Sequence, residues 1–337
     1  MVQSASTPMT QSRIMRRLIR SGTTGDATEF RRAAEDLIRE ERQKKHHLLA
    51  NDLEQILVGG SSQTKPPSRA YETPRDRERG FALVDVYAPR RDLEDIALSD
   101  ENRTAIDEII MEHGRSDVLG TYGLRPSNRI LFCGPPGCGK TTAAEVLANE
   151  LGLDVAVVRF DSVVSSFLGE TAANLRAVFD FLERERVLAV FDEFDALGKT
   201  RADQDEHGEL KRVVSALLQM MDAYRGRSVL VAASNHEELL DRAIWRRFDE
   251  VLLLEPPSVP QIRVLLAQKL RAVRHDLPIE EMRFVKTMTG FTHADVERLV
   301  VRAVKTMVLA GREVLTEEVF EAARRREERR LGLARKR

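Results

Sequence analysis

Five short apolar runs organise the middle of the chain, at residues 129–133, 155–160, 187–191, 228–233 and 251–254. They are continuous rather than alternating, which is the pattern of strands buried on both faces of a parallel sheet. Helix-spaced apolar positions separate them, so the expected architecture is α/β, with helices flanking the sheet. After Pro256-Pro257 the strand-like runs stop. Ser258, with Pro260 in the first turn, opens a helix. Further helical patterns follow near 279–289, 292–310 and 316–330, with Thr292 and Asp295 spaced as a capping box. Upstream, Asp26-Ala-Thr-Glu29 is spaced as a second capping box. Phe30, Ala33, Ala34, Leu37 and Ile38 then recur at helical spacing, as do Leu48, Leu49, Leu53, Ile56 and Leu57. This pattern predicts one long helix or a helical hairpin. Gly59-Gly60-Ser-Ser begins a polar stretch. The expected organisation is a disordered basic arm (1–25), a helical segment (26–60), a linker (61–86), an α/β domain (87–255) and a small all-helical domain with a basic tail (256–337).

Composition narrows the picture. The chain has 337 residues, of which 42% are hydrophobic and 32% charged, with a net charge of -1. This is a globular, charge-rich composition with no global field favouring nucleic acid or acidic membranes. No apolar run approaches the roughly 20 residues that span a bilayer. Local charge is uneven, with basic stretches at 13–20 and 321–337; the latter reads as a solvated helix with a frayed end. Residues 1–25 hold no acidic residue and are rich in Ser and Thr, like a transit peptide, but lack a long amphipathic face. The two cysteines, Cys133 and Cys138, fall in a predicted strand and the loop after it. That is no disulfide framework, so a reducing, cytoplasmic setting is expected.

The chemistry concentrates after the first apolar run. Gly134-Pro135-Pro136-Gly137-Cys138-Gly139-Lys140-Thr141 fits G-x-x-x-x-G-K-[ST], between a strand and a helix. Glycines let such a loop curl so that its N–H groups face a phosphate. Lys140 then reaches the β/γ-phosphates, the Thr141 hydroxyl binds Mg²⁺, and the helix start, including Thr142, adds its positive end. Asp192-Glu193 follows the run at 187–191. A carboxylate at a strand tip holds Mg²⁺ directly or through water, and its neighbour orients the attacking water.

With these motifs in this order the chain resembles the AAA ATPases, the family that includes spastin, katanin, FtsH and the proteasomal ATPases. The resemblance runs from about residue 93 to 309. It implies a P-loop NTPase sheet with a helical lid, ATP and Mg²⁺ as ligands, and Lys140 and Thr141 as Walker A. Asp192 matches the Walker B metal residue and Glu193 the catalytic glutamate. Asn235, ending Ala232-Ala-Ser-Asn235, matches sensor 1, and Arg246 and Arg247 match the arginine fingers that complete a neighbour's site. Phe167, Leu168 and Gly169 match the pore loop that grips an extended polypeptide. Ile96 and Ala294 fall on the adenine side. Two departures lie there: His293 stands where the family often has Gly, and Ala97-Leu98 where it has Gly-Gly.

The resemblance implies a ring, usually a hexamer, that remodels protein substrates by threading them. A regulatory ATPase that switches a partner, such as a protease docked on the N-terminal helical segment or the basic tail, is the second reading. A nucleic-acid motor is third. No HExxH motif occurs in the chain, so proteolysis would need a separate partner.

Overall fold

The computed structural model describes residues 71–76, 78–163, 168–194, 207–236 and 242–334, together with 27–43 and residues 14, 17, 18, 20 and 21. The chain divides into two compact units, Met1–Arg69 and Ala70–Arg337. In the first, helix α1 spans Ala27–Gln43 and buries Ala33 and Ile38, as its spacing predicts. The arm before it is not wholly irregular. Residues 14, 17, 18, 20 and 21 are helical, Ile14 is buried, and Arg17 pairs with both Glu29 (2.8 Å) and Asp36 (2.9 Å) on α1. An apolar anchor and a shared cation hold these five residues; the rest of 1–25 lies outside the described residues. Asp26 and the second helical stretch, 44–60, lie outside the described residues.

The second unit is built on a six-stranded sheet of order β1-β3-β4-β5-β2-β6. Its strands are β1 (Val84–Tyr87), β2 (Arg129–Cys133), β3 (Asp154–Val158), β4 (Val187–Phe191), β5 (Val229–Ser234) and β6 (Glu250–Leu253). The last five are mutually parallel, whereas β1 joins β3 antiparallel, with Val84 opposite Val158 and Tyr87 opposite Val155. Residues alternate between two cores. Leu131, Ala189, Phe191 and Leu230 face the helices α6 (Leu168–Arg184) and α7 (His207–Ala223). Ile130, Phe132, Leu188 and Val231 face α2 (Asp100–Gly114) and α4 (Lys140–Glu150). Short helices α3 (Ser116–Thr121), α5 (Phe160–Val163) and α8 (Arg242–Trp245) fill connections.

Strand β1 corrects the expected linker at 61–86. Residues from Tyr71 onward pack on the sheet unit: Tyr71 Oη donates to Asp154 Oδ2 (2.8 Å), and Asn174 Nδ2 donates to the buried Asp76 carboxylate (2.8 Å). Phe160, expected in a strand, instead starts α5, because the β3 pairing ends at Val158.

After β6 the chain is helical: α9 (Val259–Leu270), α10 (Met282–Lys286), α11 (His293–Leu309) and α12 (Glu317–Ala334) share a third apolar core. The expected capping box of Thr292 with Asp295 forms, and Ser258, expected to open a helix, does so in a further box with Gln261. The basic end is less solvated than its composition implies. Glu327 on α12 is fully buried and takes Arg330 (2.6 Å), Arg298 (3.2 Å) and Arg302 (3.5 Å), while Arg330 also reaches Asp295 (2.8 Å). These pairs fold the basic helix back onto the first turn of α11.

Candidate functional site at the carboxyl edge of the sheet

Because β2, β4 and β5 run parallel and in register, with Cys133 opposite Ser234 and Phe191 opposite Ala232, their carboxyl ends share one edge. Gly134, Asp192 and Asn235 follow those ends directly. Three stretches separated by dozens of residues thus meet where a parallel sheet binds ligands, outside its strand tips.

The loop at 134–139 is held by close backbone approach. Gly134 has φ +139, and a Cβ there would sit 2.1 Å from Leu254 O. Gly137 and Gly139 also have positive φ. The loop curls so that Lys140, only 7% exposed, turns its ammonium inward and donates to Gly134 O (2.6 Å) and Pro135 O (3.0 Å). Pro135, Pro136 and Gly137 are exposed, and so is Thr141 on the first turn of α4. Cys138 is buried, and burial raises its thiol pKa against the lowering pull of Lys140, so the thiol stays protonated and unreactive near neutrality.

At the tip of β4, Asp192 is half-buried and its Oδ1 accepts the Glu193 N–H (2.8 Å). Glu193 is exposed with φ 53, the one left-handed non-glycine among the described residues. Strain of about 1–3 kcal/mol at such a position is characteristic of functional sites. Asn235 is half-buried just beyond β5. A buried ammonium, a hydroxyl and a carboxylate as hard oxygen donors, and a helix amino end together fit Mg²⁺ and a triphosphate.

Two segments flank the loop apex. Ala294 N–H donates to Gly137 O (3.0 Å), and a Cβ on Gly137 would meet Thr292 Oγ1 at 2.9 Å. On the other flank Ile96 is buried, its Cδ1 3.8 Å from where a Gly139 Cβ would lie. Ala97 and Leu98 adopt no left-handed backbone, so this segment does not need the glycines it lacks. His293 Nε2 meets Ala97 O at 3.0 Å.

Arg246 is exposed after α8 and Arg247 pairs with Asp222 (3.0 Å) at the end of α7. Trp245 is half-buried against the sheet core. Phe167 lies outside the described residues; Leu168 and Gly169 begin α6.

The family profile "ATPase family associated with various cellular activities (AAA)" matches residues 130–256. The chain is 38% identical over 330 residues to the AAA family ATPase y4kL of Sinorhizobium fredii, covering 97% of this chain and 98% of that one. The chain belongs to the AAA ATPase family. AAA proteins are ATPases, which supports nucleotide binding and ATP hydrolysis at this site. This AAA ATPase is also 30% identical to the ATP-dependent zinc metalloprotease FtsH 2 of Bdellovibrio bacteriovorus, over 68% of this chain and 38% of that one. It is 30% identical to proteasome-activating nucleotidase 2 of Haloferax volcanii, over 76% of this chain and 65% of that one. It thus spans nearly all of y4kL but only part of the other two.

Some contacts of this AAA ATPase's site carry no local sequence signal. Arg91 donates to Thr142 Oγ1 (3.0 Å) and pairs with Glu145 (3.4 Å), and the Arg90 N–H donates to Glu145 (2.9 Å), clamping this segment to α4. Gln268 on α9 donates to Glu94 O (2.6 Å). Each joins residues far apart in the chain, which only the fold brings together.

Proposed function

We propose that the chain is an ATP-hydrolysing motor that assembles into a ring, usually of six copies in this family, and remodels protein substrates by drawing them through its centre. The observation that carries this reading is the shared edge: phosphate loop, Asp192-Glu193 and Asn235 lie at the tips of three parallel strands. In the proposed mechanism Lys140 and the loop N–H groups hold the β/γ-phosphates, and Thr141 and Asp192 hold Mg²⁺. The metal, when bound, supplies charge neutralisation at the phosphates. Glu193 orients and deprotonates the attacking water, and Asn235 positions it through an amide that both donates and accepts. Arg246 is exposed, consistent with service to a neighbouring copy's nucleotide, while Arg247 would have to leave Asp222 to join it. Ile96 and Ala294 flank the base.

Phe167, Leu168 and Gly169 form the proposed substrate-gripping loop. An aromatic side chain holds an extended polypeptide without reading its sequence. Phe167→Ala tests threading: unfolding of a tagged substrate should be lost with ATP hydrolysis retained. Unchanged substrate processing would instead favour a nucleotide-switched regulator that docks a partner, such as a protease, on the N-terminal helical unit.

A further inference from the structure

Two side chains of the helical part grip the backbone of the segment before α2. Gln268 Nε2 donates to Glu94 O at 2.6 Å, and His293 Nε2 lies 3.0 Å from Ala97 O. A carbonyl only accepts, so each bond fixes the rest of its side chain. Gln268 must turn Oε1 away, and a neutral His293 ring must carry its proton on Nε2 and its lone pair on Nδ1. Burial holds the His293 pKa below the ordinary histidine value, with the Ala97 carbonyl pulling the other way, so the ring is neutral near pH 7. Gln268 Oε1 and His293 Nδ1 are both buried, and neither has a hydrogen-bond partner among the described residues. Buried polar atoms are ordinarily paired, so two orphan acceptors at one junction call for a donor from outside the protein.

The junction lies beside the phosphate loop. Thr292 and Ala294, on either side of His293, touch Gly137, and Ile96, next to Ala97, approaches Gly139. A nucleoside joined to phosphates held at 134–141 therefore extends toward Ala97 and His293. A cavity of about 390 Å³ borders the junction, lined by Ala97, Leu254, Pro256, Gln261 and His293 among others but by no residue of 134–141, a size suited to a small ligand.

We propose that His293 is a specificity-determining residue for the base: its Nδ1 lone pair accepts a hydrogen of a 6-amino group and so favours adenine over 6-oxo purines. The O6 of a 6-oxo purine is itself an acceptor and faces the lone pair unfavourably. Nδ1 is buried in this structure, so the base reaches it by a local shift that leaves the Nε2 contact to Ala97 O in place. The inference rests on the assignment of 134–141 as the triphosphate site.

The test compares equilibrium binding of ATP with that of purine riboside 5′-triphosphate, which lacks only the 6-amino group, to the full chain and to His293→Phe. The native chain should bind ATP about tenfold more tightly, the scale of one hydrogen bond. In His293→Phe that preference should collapse, with purine riboside triphosphate affinity unchanged. Equal binding of the two ligands by the native chain overturns the proposal without recourse to any variant. So does an unchanged preference, or a parallel loss of both ligands, in His293→Phe. Lys140→Ala separates the two levels. Retained ATP affinity there would remove the triphosphate assignment, whereas Lys140-dependent binding with an unchanged base preference would remove only the role of His293.

Discussion

Replacing Gly134 with alanine tests how the phosphate loop is joined to the sheet. The new Cβ would sit 2.1 Å from Leu254 O, 2.9 Å from Leu254 C and 3.3 Å from Leu254 N. These are backbone atoms, and Leu254 is held in place by its N–H donating to Cys133 O at 2.7 Å. Carbon and oxygen come no closer than about 3.3 Å, so one strand end must move by about 1 Å. Moving Leu254 gives up that hydrogen bond, about 1 kcal/mol. Alanine at φ +139 adds backbone strain of about 1–3 kcal/mol. The stiffer unfolded chain returns about 0.4–1 kcal/mol. The net loss should be about 2–3 kcal/mol, read as a lower urea midpoint at constant slope. The movement also takes Gly134 O away from the Lys140 ammonium, so nucleotide affinity should fall with stability. Gly311→Ala is the matched control, because Gly311 has φ +65 with nothing within 4 Å of the added Cβ; it should cost about 1 kcal/mol. If Gly134→Ala is no more damaging than Gly311→Ala, the close approach to Leu254 does not anchor the loop.

Other outcomes follow from the charge placement. Glu327→Gln should destabilise by about 2 kcal/mol in urea titration, because it removes a fully buried carboxylate from Arg298, Arg302 and Arg330. The cost stays below that of a fully enclosed pair because those side chains are 48%, 37% and 42% exposed and can rehydrate; a change within about 0.5 kcal/mol, the range of ordinary surface substitutions, would contradict the strut. Stability should also depend on pH in two stages. His293 has a lowered folded-state pKa, so the unfolded chain binds its proton first, and stability is full above the reference value of 6.5 and falls as pH drops through it. Asp295 is raised by burial, but the bonds from Thr292 and Arg298 outweigh this and hold it below 3.8, so its contribution is lost only in stronger acid. The His293→Phe chain should lack the first stage in pH-dependent thermal melts.

Much of this architecture was legible because it is locally encoded. Buried parallel strands are short continuous apolar runs, and the phosphate loop is contiguous, with glycines at the positions that take left-handed backbone. The caps at Ser258 and Thr292 are also local, since each bonds within its own first turn. Strand β1 was not legible. Val84-Asp-Val-Tyr87 is a four-residue edge strand whose exposed Asp85 and Tyr87 break the apolar run, and its pairing partner lies some seventy residues away. The fate of the basic C-terminal helix was hidden for a similar reason. One buried acid, Glu327, decides which of its arginines face inward, and composition counts Glu327 as one more charge on a solvated helix. The His293 contact combines both cases. The departure from the family pattern was visible in the sequence, but its partner at Ala97 and its orphan nitrogen emerge only once the lid packs beside the loop.

A hydrolytic site completed between copies of the chain gives Glu193→Gln a distinctive phenotype. The variant should bind ATP with near-native affinity, hydrolyse it at under about 1% of the native rate, as loss of a catalytic base implies, and accumulate an ATP-dependent ring by mass measurement and imaging. Near-native hydrolysis by this variant, or a chain that stays monomeric with ATP bound, would contradict the account.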